Sequence, residues 1–348
     1  MEDIIIDNKI IGLNTKTFIC AEVGTTCNGD LSTAKKMIDV AVEAEIDGLK
    51  FQVLDPEKDF SDTEMIYSYK TYSGATKSEK MIQMLKRYTF TFEEWKEIKT
   101  YGDSKGVTIF ATPSHLEAVE LMEELNMPAY KICSWNMNFF PLIREIAQTK
   151  KPVFIDSGPV NGFEMMRAIN VIKKEDNNKI VLLYCYHTNV INEINLNTIN
   201  YLRNTYNTLV GYSSGGQNEE IDFISLAYKP AIIEARLTLS RRDEGHHHSI
   251  SMEPDEISKY VKKIRAYENT IGKIYLSQTS EERESKEKYF RSIFFEKDLI
   301  KGTLITENDI SCKRPAGKGI DPFRYDEVIG RRVVKDVKRN EPVTWECI

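Results

Sequence analysis

The sequence predicts an α/β fold, a (β/α)8 TIM barrel followed by a small β-rich domain. Three observations predict it. Eight short β-rich runs alternate with longer amphipathic stretches over the front three quarters of the 348 residues. The runs are near-continuously apolar, as expected of parallel strands buried on both faces. No Gly-rich dinucleotide fingerprint follows the first run, and a doubly wound open sheet would usually carry one there.

The strand candidates are residues 18–23, 48–53, 107–111, 129–133, 153–156, 180–185, 208–212 and 231–235. Between them lie helical patterns such as 32–45, with Ser32 or Thr33 as N-cap, 116–125 and 163–173. A last barrel helix spans 254–271 and closes a domain of residues 1–276. The strongly charged stretch 277–288 reads as a linker that can be helical. Residues 289–348 have short β-like pieces and turn signals at Lys301-Gly302, 315–319 and 340–342, and form the second domain.

Composition bounds the function. The chain is 41% hydrophobic and 29% charged, with a net charge of −6. Those values are ordinary for a soluble globular protein and give no sign of a nucleic-acid or anionic-membrane partner. Lys173-Lys174 and Arg331-Arg332 read as solvated faces. No apolar run nears the ~20 residues that span a bilayer. Residues 1–9 lack a signal-peptide layout. The six cysteines form no CxxC pair and no disulfide framework, which suits a reducing cytoplasm.

In a TIM barrel, chemistry sits at the C-terminal strand ends. Here those ends carry polar residues: Glu22; Lys50 and Gln52; Thr112; Lys131, Ser134 and Asn136; Asp156 and Ser157; Tyr186 and His187; Ser213 and Ser214; Glu234 and Arg236. Taken singly, several have structural readings. Lys50 pairs with Glu22, Thr112 before Pro113 makes a turn, and Ser213 or Asp156 caps. Their common location favours a site. Two lysines and an arginine suit a substrate bearing a phosphate and a carboxylate, with serine hydroxyls completing the cradle.

A run of motifs carries a resemblance over some 300 residues. Ala21-Glu22-Val23-Gly24 with Asn28-Gly29-Asp30 is similar to AEIGxNHNGD, and Leu49-Lys50-Phe51-Gln52 to VKFQ. Thr112-Pro113 matches TP, and Tyr130-Lys131-Ile132-Cys133-Ser134 is similar to YKIxS. Asp156-Ser157-Gly158 is similar to STG, Gly211-Tyr212-Ser213 matches GYS, and Ser251-Met252-Glu253-Pro254 is similar to SLEP. The tail 313–320 is similar to KRPGxGI. In this order they resemble the sialic acid synthase family, a TIM barrel with a C-terminal antifreeze-like (SAF) domain. That family condenses phosphoenolpyruvate with an open-chain acetamido sugar and uses a metal to polarise the aldehyde. The resemblance implies that Lys50, Thr112, Lys131, Ser134 and Ser213 hold phosphoenolpyruvate. It places Glu22 and Gln52 near the reacting carbons or the sugar. It also implies a head-to-tail homodimer in which Arg314 reaches the sugar in the partner's barrel.

The departures gather in the acceptor half. Gly215 and Arg236 stand where the family has its metal-ligand histidines, so the expected metal set is none. Cys27 replaces a histidine, Asn136 a glutamate, and His247 a functional aspartate. Tyr186-His187 replaces a Thr-Asn/Ser pair. Asp156 sits where a phosphate-binding serine is common, with Ser157 as its substitute. Arg236, a permanent cation and fixed donor, is the candidate to polarise the carbonyl in place of a metal. His246-His247-His248 also leaves open a relocated divalent site, using His247 or His248 with Cys27 or His187.

The leading expectation is a phosphoenolpyruvate-dependent synthase acting on a sugar-type aldehyde, metal-independent. Lys50, Lys131 and Arg236 would stabilise charge, and Glu22 or His187 would move protons. Two alternatives stay open. One is a lyase or aldolase with Lys50 or Lys131 as Schiff-base nucleophile. The other is a non-catalytic sugar- or phosphate-binding paralogue.

Overall fold

The computed structural model describes residues 1–188, 190–215, 218–272 and 276–348. Gly216, at the end of the Val210-Gly211-Tyr212-Ser213-Ser214-Gly215-Gly216 segment, lies outside them. The chain divides into two units, Met1–Gly272 and Lys273–Ile348.

The first unit is a closed barrel of eight parallel strands. They are β1 (Phe18–Glu22), β2 (Gly48–Val53), β3 (Thr108–Pro113), β4 (Tyr130–Ile132), β5 (Val153–Asp156), β6 (Ile180–Cys185), β7 (Leu209–Ser213) and β8 (Ile232–Arg236). Each pairs with its neighbour in sequence, β8 closes on β1, and all eight expected strands are present.

Side chains alternate across each strand, so each strand has a helix-facing set and a lumen-facing set. Ile19, Ala21, Leu49, Phe51, Ile109 and Val210 face the surrounding helices and join the main core. Phe18, Cys20, Phe110, Phe154, Leu183 and Ile232 belong to a second cluster in the lumen. The antiparallel hairpin Ile4–Ile6 with Lys9–Ile11, not anticipated from the sequence, contributes Ile4, Ile6 and Ile11 to that cluster. One end of the barrel is therefore stoppered with apolar residues, and the polar strand ends are left at the other.

The first barrel helix, Leu31–Glu43, starts one residue earlier than expected. Its cap is Asp30, which accepts from the Thr33 backbone N–H, not Ser32 or Thr33. A second hairpin, Ile66–Lys70 with Thr76–Lys80, was also unexpected. It holds the loop of residues 240–250 at the mouth. Lys77 pairs with Glu244 at 2.9 Å, Ser249 Oγ donates to the Lys70 carbonyl at 2.8 Å, and Tyr67 packs edge-on to His246.

In the second unit, the stretch expected to link the domains holds the helix Ser280–Tyr289. Beyond it Ser292–Phe295 pairs antiparallel with Ile310–Lys313 over a small core that includes Ile293, Phe295, Ile305, Val333 and Val343.

Candidate active site

Period-two alternation puts Glu22, Lys50, Lys131, Asp156, Ser213 and Glu234 on the lumen side of their strands, near the C-terminal ends. Register keeps them level: Glu22 lies opposite Lys50 and Arg236, and Ser213 opposite Glu234. Burying ionised groups is expensive unless they are paired. Here the pairing closes on itself. Lys50 Nζ lies 2.5 Å from Glu22 and 3.0 Å from Glu234. Lys131, with 0% of its side chain exposed, lies 2.8 Å from Glu234 and 2.9 Å from Asp156. Glu234 thus bridges both lysines, and Ser213 Oγ donates to it at 3.3 Å. Gln52 Nε2 and the Gly24 N–H hold Glu22 at 3.0 and 2.9 Å.

The titration of the cluster follows from this geometry. Burial pulls Lys50 down, but Glu22, Glu234 and Asp156 outweigh it and raise its pKa well above the usual lysine value. Burial is likewise outweighed at Lys131 by Asp156 and Glu234, so its pKa is raised. At Glu234 burial pushes upward, yet the two lysines hold the carboxyl well below the ordinary range. Asp156 is raised, chiefly by burial, against the pull of Lys131. Both lysines are held protonated, the opposite of what a Schiff-base nucleophile needs.

Arg236 ends β8. Its Nη1 donates to the Ser214 carbonyl at 2.9 Å, and its Nε is buried with no hydrogen-bond partner among the described residues. It pairs with neither Glu234 nor Asp156, which the lysines occupy. Thr112 Oγ1, on the strand next to Gln52, is also buried without a partner among the described residues. Unsatisfied buried polar atoms are rare, and a pair at a barrel mouth suits a site that accepts a ligand.

Among the described residues, those at the expected ligand positions do not fit a divalent cation. A Cβ on Gly215 would lie 2.8 Å from Tyr186 Cε2, so the Tyr186 ring fills the space of a side chain there. Arg236 brings a positive charge to the other expected ligand position. In the histidine triplet the rings of His246 and His247 pack on each other, 3.4 Å between centroids, and each of the three has its own neighbours. His246 packs on Tyr67, and His247 Nδ1 lies 3.2 Å from Thr25 Oγ1. His248 bonds Thr238 at 2.7 Å and Asn28 at 3.1 Å. Cys27 donates to the Gly24 carbonyl, and burial pushes its thiol up to about 12. Among the described residues no three His, Cys, Asp or Glu side chains gather as ligands.

The other expected residues are placed as follows. Ser134 opens a short 3-10 turn after β4, and it sits against the turn that follows β5 because position 158 is glycine: a Cβ there would lie 2.1 Å from Ser134 Cβ. His187 Nε2 lies 3.4 Å from Ser134 Oγ, and its ring stands 5.3 Å from the exposed Trp135. Partial burial lowers the His187 pKa, against the pull of Asp156. Asn136 Nδ2 reaches the Pro113 carbonyl at 3.5 Å. Ser157 is engaged by the backbone instead: its Oγ donates to the Cys185 carbonyl and accepts the Cys185 N–H at 3.0 Å. Arg314 belongs to the second unit, where its Nε donates to the Tyr289 carbonyl at 2.6 Å. Thr25 and Tyr67 were not anticipated. Thr25 lies within the first motif, and a threonine between Gly24 and Cys27 carries no signal of its own.

Comparison with known proteins agrees with this architecture. Residues 37–275 match the model of the NeuB family, and residues 290–348 match the SAF domain. An uncharacterized protein of Methanocaldococcus jannaschii is 29% identical, over 99% of this chain and 98% of its own length. The N,N'-diacetyllegionaminic acid synthase of Campylobacter jejuni is also 29% identical, over 94% of this chain and 98% of its own. Among solved structures, the N-acetylneuraminic acid synthetase of Leptospira borgpetersenii, in complex with citrate, superposes with a TM-score of 0.72 at 28% identity. It covers 82% of this chain and 95% of its own. With a family model spanning most of a barrel whose mouth carries this lysine–carboxylate cluster, the chain belongs to the NeuB family and ends in a SAF domain.

Proposed function

We propose that the chain is a synthase that condenses phosphoenolpyruvate with a sugar-type aldehyde, releasing phosphate and leaving a nonulosonic or related 2-keto acid, with Arg236 in the place of a metal. The observation that carries this reading is Arg236 itself. It is a guanidinium at the end of β8, level with Glu22, held by one carbonyl and with Nε unpartnered among the described residues. C3 of phosphoenolpyruvate attacks the aldehyde carbon, and its oxygen, gaining charge, is stabilised by the guanidinium. Water adds at C2, and the tetrahedral intermediate expels phosphate. Lys50 and Lys131 exchange part of their carboxylate pairing for the phosphate and carboxylate of the substrate. Thr112, Ser134 and Ser213 supply hydroxyls, and Glu22 or His187 moves the proton of the attacking water.

Gln52, Asn136 and His247 line the acceptor side in this reading, and Arg314 of the partner subunit completes it in a head-to-tail homodimer. Ser157, bonded to the Cys185 backbone, reaches phosphate only by giving up those bonds. The relatives' names support the substrate kind. Among the described residues no helix is long and apolar enough to cross a membrane, and no cysteine is in a disulfide. The proposal accordingly places the enzyme in the cytoplasm.

A second reading, a sugar- or phosphate-binding paralogue without turnover, draws on the full pairing of both lysines by carboxylates. Phosphate release from phosphoenolpyruvate by metal-stripped protein, across a panel of acetamido-hexoses and other aldehydes, separates the two. Release that survives EDTA supports the synthase with Arg236. Release only on adding manganese overturns the role of Arg236. Phosphoenolpyruvate binding with no release under either condition favours the binding protein.

A further inference from the structure

Outside the barrel, on the helix Glu219–Ser225, lies a carboxylate that the proposed chemistry does not use. Asp222 is 1% exposed and, among the described residues, has no cation beside it. Its carboxylate collects three hydroxyls. Tyr212 donates to Oδ1 at 2.7 Å, and Ser214 and Tyr260 donate to Oδ2 at 2.7 and 3.1 Å. A buried carboxylate without a counter-ion is costly, so its position calls for a reason. Two of its donors lead to the active site. Ser214 follows β7 directly; its N–H donates to the Glu234 carbonyl at 2.8 Å, and its own carbonyl accepts Arg236 Nη1. The Tyr212 hydroxyl lies 3.2 Å from that of Tyr186, the ring packed on Gly215. Alternation explains the route. Tyr212 and Ser214 face outward to the helices, while Ser213 faces the lumen.

We propose that Asp222 is a positioning residue for Arg236. By holding the Ser214 and Tyr212 hydroxyls it fixes the end of β7, so that the Ser214 carbonyl sets the guanidinium and Tyr186 stays against Gly215. The inference rests on the role given to Arg236 above. It adds a residue on the far side of the strand on which acceptor activation depends. The phosphoenolpyruvate lysines have their own carboxylates and are not held by Asp222.

The test uses Asp222→Asn, which keeps the shape but turns one acceptor into a donor facing hydroxyls, and Ser214→Ala, which removes the hydroxyl that reaches Asp222 and leaves the carboxylate in place. Both are expected to lower kcat about tenfold or more, with KM for phosphoenolpyruvate within about twofold. In an Arg236→Met background the same changes are expected to cost nothing further, because coupled residues are non-additive. A crystal structure of the Asp222→Asn variant is expected to show Arg236 Nη1 withdrawn from the Ser214 carbonyl. An undiminished loss in the Arg236→Met background, or a guanidinium unmoved in the crystal, overturns the proposal. If Asp222→Asn does not fold, Ser214→Ala carries both readouts. If the parent chain releases no phosphate with any acceptor, the functional reading fails, and the crystal structures still decide whether Asp222 positions Arg236.

Discussion

The ring of Tyr186 stands where a side chain at Gly215 would have to go, 2.8 Å from the position of its Cβ. The two residues come from neighbouring strand ends, and the ring of one fills the space that a side chain at the other would need. Gly215→His alone is therefore expected to gain no manganese affinity and to lose about 1–3 kcal/mol of stability through overpacking. Gly215→His with Arg236→His is expected to stay metal-free for the same reason. Calorimetric titration with manganese and thermal melts check both. Tight binding by either variant would show that Tyr186 yields its place readily.

In the proposed reaction Arg236 stabilises the charge that develops on the aldehyde oxygen. Arg236→Met is expected to lower kcat about 10²- to 10³-fold, the range for removing one preorganised donor from a developing oxyanion. Affinity for phosphoenolpyruvate should change little, since the lysine cluster is built independently. Arg236→Lys should recover only part of the loss, because an ammonium lacks the planar fork that reaches carbonyl and acceptor together. Steady-state kinetics with EDTA present throughout check this. Full turnover by Arg236→Met would remove the guanidinium from the mechanism.

Glu234 is the hinge of the ion network, bonded to Lys50 at 3.0 Å and Lys131 at 2.8 Å. Removing one partner of a buried network costs on the order of 3–5 kcal/mol. Glu234→Gln is expected to fall toward the low end, because Lys50 keeps Glu22 and Lys131 keeps Asp156. The pH profile should also change. Burial raises the Glu234 carboxyl, but Lys131 and Lys50 outweigh it and hold it below the ordinary value of 4.5. Its contribution to stability is thus present above that pH and lost as the pH falls. Urea unfolding should show a flatter acid limb below pH 4.5 in Glu234→Gln than in the parent.

How much of this was legible in the sequence follows from the kind of signal each part leaves. The eight strands were legible because apolar runs of that length between helical patterns have few other uses. Lys50, Lys131, Glu22 and Glu234 were legible as charges inside such runs. The hairpin at residues 66–80 was not, because its strands Ile66–Lys70 and Thr76–Lys80 are largely polar and Tyr69 is their one buried residue. The hairpin at residues 4–11 was too short to show a period. Asp222 was hidden for a different reason. It sits in Glu219-Glu220-Ile221-Asp222, which reads as a solvated helix start, and only the approach of Tyr212 and Tyr260 buries it. That Gly215 and Arg236 stand at the positions where the resembled family has histidines was readable from the motifs. The Tyr186 ring that fills the Gly215 space was not, because it depends on the packing of two strand ends.

The burial of Asp222 has a consequence for stability that is separate from its positioning role. Burial raises its carboxyl from 3.8 to about 6, against the hydroxyls of Ser214, Tyr212 and Tyr260, and Glu219 on its own helix adds to the rise. The folded chain therefore binds this proton more tightly than the unfolded chain does. The stabilising contribution is complete below pH 3.8 and is lost as the pH rises through about 6. A shift of this size corresponds to roughly 3 kcal/mol by pH 7. Asp222→Asn cannot titrate, so the stability difference between parent and variant should move by up to that amount, in the variant's favour, from pH 4 to pH 7. Carboxylates elsewhere, Glu234 among them, act equally in both proteins and cancel in the difference. Urea unfolding of the pair at steps of one pH unit measures it directly. A gap that stays constant across that range would mean that Asp222 keeps an ordinary carboxylate pKa and that its three hydroxyl donors fully offset its burial.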